Sequence, residues 1–180
     1  MKYIALVLGT ARRERQSEKV AKYLLTLFES EEDVSVTFVD VRDHVKAPET
    51  IPPWGEKGTE HTPTKWQSIA KQSDVFVFVI PEYNHGYPGE WKLLVDSLYE
   101  EYAGKEAFVV GVSNGTFSGV RVADHVKPVL VELGLVVQRS ALYIGHVDDV
   151  FEEDGEPRDE KLRERASKFI TTVCQTILNG

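Results

Sequence analysis

Apolar residues recur along the chain in two alternating periods. Tyr3 to Leu8 is a short continuous apolar run stopped by Gly9, the pattern of a strand buried on both faces. From Ser17 the period lengthens: Val20, Leu24 and Phe28, with Ala21 and Leu25, share one face of a helix running to about Ser30. Val34, Val36 and Phe38 then alternate with Ser35 and Thr37, predicting a second, less buried strand that ends near Asp40. Residues 42 to 63 hold Pro48, Pro52, Pro53, Gly55, Gly58 and Pro63, which excludes regular structure over most of that length. A loop this long is expected to be functional or part of an interface.

Thr64 to Gln72 predicts a short helix, and Val75 to Ile80, the most continuous apolar run in the chain, a central strand. Pro88, expected at the first helical position, opens a helix through Trp91, Leu94, Val95 and Leu98. Ala107 to Val112 is a fourth buried strand. Val120 to Leu133 reads as a helix that Pro128 should kink or divide, with Gly134 at its C-terminal end. Val136 to Ile144 is a fifth strand, and an acidic connector from Asp148 to Glu160 leads to an amphipathic helix from Lys161 to Leu178. Five alternations of strand and helix predict an α/β fold in a single domain, residues 1 to 180, with helices on both faces of a parallel sheet. In the five-strand order 2-1-3-4-5, ligands bind at the carboxyl ends of the strands, where the winding reverses between β1 and β3.

A length of 180 residues allows a substantial core, and a formal net charge of -8 argues against a nucleic-acid binder with a general basic surface, so any anionic ligand must be held locally. Cys174 is the single cysteine, which excludes an internal disulfide framework and a multi-cysteine metal site and suits a reduced, cytoplasmic setting. The opening MKYIALVLGTARR lacks the charge order of a secretion signal, and no run reaches the length of a membrane span. The histidines show no metal-ligand spacing.

Two loops follow the strand ends at the expected switch point, and a third follows the fourth strand. The first, Gly9 to Lys22, offers Thr10, Arg12, Arg13, Arg15, Gln16 and Ser17 ahead of a helix N-terminus, a donor set suited to a phosphate. The second, PEYNHGYPGEWK from Pro81 to Lys92, has Gly86 for unusual torsions and Tyr83, His85 and Tyr87 as ring surfaces, with Glu82 a conceivable general base. The third, GVSNGTFSGVR from Gly111 to Arg121, contains the nucleophile-elbow pattern G-x-S-x-G, with Asp124 and His146 following in hydrolase order. A serine esterase using Ser113 is therefore a rival reading, although Asn114 to Gly119 looks like an extended glycine-rich loop rather than a tight elbow. Neither G-x-G-x-x-G nor the P-loop pattern occurs.

The segment PEYNHGYPGEWK, with Gly9-Thr10-Ala11-Arg12 and Ser17 before it and Ser113 to Arg121 after it, resembles the NADPH-dependent FMN reductase family, over Met1 to about Ile144. That resemblance implies a flavodoxin-like three-layer sandwich and FMN as cofactor, with NADPH or NADH as co-substrate. It assigns Thr10, Arg12, Gln16 and Ser17 to the FMN phosphate, and Pro81, Glu82, Tyr83 and Asn84 to the isoalloxazine. Ser113, Asn114 and Gly115 would close its other edge. It further implies a homodimer or homotetramer, with Trp54, Tyr87 and Trp91 at the subunit interface. The expected activity is hydride transfer from NAD(P)H to FMN and then to a quinone-like, azo or other small acceptor by ping-pong kinetics, with no covalent nucleophile. The non-enzymatic alternative is a flavodoxin-like electron-transfer protein without its own NAD(P)H oxidation.

Overall fold

A computed structural model describes residues 1 to 45 and 64 to 179. Five strands, β1 (Lys2–Leu8), β2 (Val34–Asp40), β3 (Val75–Pro81), β4 (Glu106–Val112) and β5 (Val136–Ile144), form one parallel sheet in the order β2-β1-β3-β4-β5. The helices are α1 (Ser17–Glu29), α2 (Val41–His44), α3 (Lys65–Gln72), α4 (Gly89–Asp96), α5 (Val120–Glu132) and α6 (Glu160–Asn179), with a 3-10 turn at Glu100–Tyr102. The strand order is that of the flavodoxin-like sandwich. Among the described residues no helix is long and apolar enough to cross a membrane.

Continuous apolar strands are required because both faces of the sheet are covered. Ile4, Leu6, Leu8, Val75, Val77, Val79, Phe108 and Val110 face α1 and α6, where Val20, Leu24, Phe28, Phe169, Ile170 and Val173 complete one core. The alternate positions, Ala5, Val7, Phe76, Phe78, Ile80, Ala107 and Val109, pack against Trp66 of α3, Trp91 of α4, Tyr102 and Val122 and Val126 of α5. Cys174 lies in the first core, where burial and then the charge of Glu31 push its thiol up to about 11, so it packs as a small apolar residue.

Several boundaries differ from the sequence reading. β3 runs one residue beyond Ile80, with Pro81 as its last residue, opposite Val112, a place at the strand end where a missing N–H is tolerated. Pro88 precedes the first helical residue, with extended backbone (ψ 143°), so α4 opens at Gly89. Pro128 does not divide α5: it is exposed, and the carbonyl that loses its intrahelical donor lies on exposed Asp124, within reach of water. Residue 42 onward begins with the short helix α2 rather than irregular chain, and Trp54 and the rest of the proline-rich loop lie outside the described residues. β5 carries two extra residues where Ala107 to Val109 face Val137 to Ala141.

One backbone contact positions the loop after β4. Gly119, at φ +80°, lies so close to β4 that an added Cβ would sit 2.5 Å from the Gly111 carbonyl carbon and the Val112 nitrogen. Gly155 has a similar φ of +91° but open space around it. Gly119→Ala is expected to lower stability by about 3 kcal/mol or more, combining steric overlap with left-handed strain, while Gly155→Ala costs only about 1 kcal/mol. Urea unfolding of the two variants checks the difference.

Candidate functional site

The loop between β1 and α1 is fixed from within by Arg15. Its side chain is 2% exposed and its guanidinium reaches both oxygens of Asp40 at the end of β2, one at 2.9 Å, while also donating to the Thr10 carbonyl. Glu18 accepts from Arg15 Nε at 3.2 Å, and Arg42 meets Asp40 from the solvent side at 2.7 Å. Burial works against the charged form of Asp40, but the hydrogen bonds from Arg15 and Arg42 outweigh it and hold the carboxyl well below the ordinary carboxylate range. Arg15 is thus a structural cation, neutralised in place, and the basic loop keeps Arg12 and Arg13, both exposed, for a ligand.

Thr10 is fully buried and its hydroxyl is the junction of two loops. It donates to Glu90 Oε1 at 3.1 Å and accepts from the Arg12 N–H at 3.2 Å. With its one proton given to Glu90, it must take that of Tyr83, whose hydroxyl lies 2.8 Å away. Arg12 lies over the Tyr83 ring at 3.6 Å to its centroid, a cation–π contact that aligns the guanidinium with the loop after β3. Ser17 is the first residue of α1; its hydroxyl is buried with no partner, as is the side-chain oxygen of Gln16. An orphaned buried hydroxyl at a helix N-terminus, in a loop that also carries an exposed arginine, is the donor a phosphate oxygen would satisfy. Gln16 fits only if its amide makes a half-turn to present its NH2.

The loop after β3 is a two-residue reverse turn. Tyr83 and Gly86 exchange both backbone hydrogen bonds at 2.9 Å, and Asn84 and His85 between them have φ of +50° and +69°. Both central residues in the left-handed region are the signature of a type I′ turn. The unusual torsions therefore belong to Asn84 and His85, not to Gly86 as the glycine suggested; asparagine and histidine tolerate that region better than most residues. Pro81 is buried, and Asn84 and His85 are exposed at the tip.

The Glu82 side chain is engaged within the chain. The carboxylate is 8% exposed and accepts from the Val122 N–H of the first turn of α5 at 3.3 Å and from Arg121 at 3.5 Å, capping that helix across the sheet. It is consequently a positioning group for the loop after β4 rather than an available base. Its own N–H donates to the Val112 carbonyl at 2.7 Å, which joins the second and third loops.

In the third loop Ser113 Oγ accepts the Gly115 N–H at 2.8 Å, Asn114 donates to Asp148 at 2.6 Å, and Phe117, 61% exposed, lies under Arg121 at 4.0 Å. No elbow forms, because the loop runs from Ser113 to Gly119 before α5 begins. Asp124 pairs instead with Lys127 at 3.4 Å. The esterase constellation is absent at Ser113. Trp91, expected at a subunit interface, is fully buried within its own chain between Phe78 and Tyr87 and offers nothing to a partner; Tyr87 is half-buried against it. Glu90 and Asp40 were not singled out by the sequence, since an acidic residue in the first turn of a helix or at a strand end reads as an ordinary capping charge.

The family described as NADPH-dependent FMN reductase matches residues 1–149. An NAD(P)H-dependent FMN reductase of Saccharomyces cerevisiae is 30% identical over 140 residues, 71% of this chain and 72% of that protein. A quinone reductase of Pseudomonas putida is 30% identical over 167 residues, 87% of this chain and 85% of its own. Among solved structures, the flavoenzyme NAD(P)H:(acceptor) oxidoreductase FerB of Paracoccus denitrificans superposes with a TM-score of 0.80 at 23% identity, over 99% of this chain and 98% of that one.

Asp40→Asn tests the anchor. Leaving Arg15 buried without its anion should cost about 3–5 kcal/mol at neutral pH. Because the folded-state pKa of Asp40 is depressed, its contribution is complete above the unfolded value of about 4 and is lost as pH falls towards the folded one, so the gap between wild type and variant should narrow in acid. Urea unfolding at neutral pH and at about pH 3 measures it.

Proposed function

Because the chain belongs to the NADPH-dependent FMN reductase family, we propose that the loop after β1 holds the FMN phosphate and that the three strand-end loops together form the flavin site of an NAD(P)H-dependent oxidoreductase. Bound FMN supplies the redox chemistry, accepting a hydride from NAD(P)H and passing electrons to a small acceptor of the quinone, azo or similar kind. The observation that carries the reading is an orphaned, buried Ser17 hydroxyl at the start of α1, in the same loop as an exposed Arg12.

In this reading Arg12 and Ser17 neutralise and bind the phosphate, with Thr10 and Gln16 beside them. Tyr83 and Asn84 present the rigid turn to the isoalloxazine edge, with Pro81 and Glu82 contributing backbone. Ser113, Asn114 and Gly115 would line the opposite edge, where donors from this loop would stabilise negative charge on the reduced ring. Glu82 keeps that last loop in register through α5. No side chain is required as a nucleophile, and the donor and acceptor alternate in the same open space, which gives ping-pong kinetics. We place the protein, residues 1 to 180 as one domain, in the cytoplasm as a homodimer or homotetramer; exposed Phe117 and Val120 beside the third loop are apolar surface that a second copy would cover.

Added FMN should bind, lose its visible band on anaerobic addition of NADPH and recover it with a quinone. Failure of NADPH to reduce bound flavin would leave only an electron carrier. Arg12→Ala should weaken FMN binding by about thirtyfold, or about 2 kcal/mol, with little change in unfolding; a fluorescence titration that finds equal affinity would remove Arg12 from the phosphate site.

A further inference from the structure

Glu90 places a carboxylate on donors of the loop after β1, among them one that the phosphate assignment needs. It is the second residue of α4, yet its side chain reaches back to residues about eighty positions earlier, with Oε1 2.8 Å from the Ala11 nitrogen and 3.1 Å from Thr10 Oγ1. A residue serving only the dipole of its own helix would need no such contact. Each of these donors has one proton, and Thr10 is fully buried, so its hydroxyl cannot recruit a water to serve a second acceptor. A phosphate is acceptor-only at neutral pH, as is the carboxylate. The two anions therefore seek the same Ala11 N–H and Thr10 O–H, in the loop that also carries Arg12 and leads to Ser17.

We propose that Glu90 is an internal competitor of the flavin phosphate, which lowers the affinity for FMN without touching the affinity for the flavin's ring and ribityl chain. The proposal rests on the assignment of the phosphate to this loop. Competition has two parts: a hydrogen bond from Thr10 or Ala11 that the phosphate must take from Glu90, and repulsion between two anions at close range. Neither acts on riboflavin, which has the same ring and chain but no phosphate. Glu90 thus sets how far the site prefers the phosphorylated flavin, and makes FMN an exchangeable rather than a permanently held ligand.

Glu90→Gln is the discriminating variant, because its side-chain oxygen can still accept from Ala11 and Thr10, preserving the loop while removing the charge. The full chain, stripped of flavin, is titrated with FMN and with riboflavin by quenching of flavin fluorescence, beside wild type and Arg12→Ala. The expected result is an FMN Kd about tenfold lower in Glu90→Gln, with the riboflavin Kd unchanged within about twofold. Equal shifts for both flavins would make Glu90 a structural brace and overturn the competition. So would an FMN Kd that is unchanged or raised in Glu90→Gln while Arg12→Ala weakens FMN selectively; in that case the phosphate site itself stands. If neither variant changes FMN binding relative to riboflavin, the phosphate assignment falls and the competition with it.

Discussion

A buried ion pair fixes the geometry on which the site depends. Arg15, 2% exposed, ties the loop after β1 to Asp40 at the end of the neighbouring strand and to the Thr10 carbonyl in its own loop. Burying such a pair costs desolvation that its Coulomb attraction offsets only when every partner is well placed, so an apolar replacement of similar size would serve stability as well. It would not serve position. The guanidinium fixes a loop that has no regular structure between Leu8 and Ser17 from its buried side, leaving Arg12 exposed and the Ser17 hydroxyl without a partner.

From that anchor the site is assembled by contacts between loops that are distant in sequence. Thr10 joins the first loop to Tyr83 and Glu90 of the second; Glu82 joins the second to α5 and hence to the third. The close approach of Gly111 and Gly119 holds the third against β4. The two residues of the PEYN segment that carry the most obvious chemistry are thereby separated in role: the Glu82 carboxylate is spent on a helix N-terminus, whereas Tyr83 remains at the junction beneath Arg12. The protein acts by holding a ligand in place, which is what a flavin enzyme asks of its chain.

The strands and their order were legible because a parallel sheet covered on both faces leaves a plain signature: short apolar runs broken by longer-period segments. The switch-point rule then singled out the loops after β1 and β3 before any contact was known. Side-chain roles within those loops were not legible to the same degree. Arg12 and Arg15 are alike in sequence and differ only in that Asp40, at the end of another strand, reaches one of them. Glu82 caps α5 because the crossover brings that helix over β3, a relation with no local trace. Trp91 reads as interface surface or as core with equal ease, and the half of the α4 face that packs on Phe78 decides it. The turn at Asn84 and His85 was masked by Gly86, the residue that would ordinarily take the left-handed torsions.

The central claim, that the loop anchored by Arg15 receives the phosphate of FMN, is tested most directly by a crystal structure of the chain with FMN bound. The account predicts the phosphate at hydrogen-bonding distance from Ser17 Oγ and Arg12, with Arg15 still paired to Asp40 and the flavin ring against the Tyr83 turn. A phosphate bound elsewhere, or extended into solvent with Ser17 still unpartnered, would contradict it.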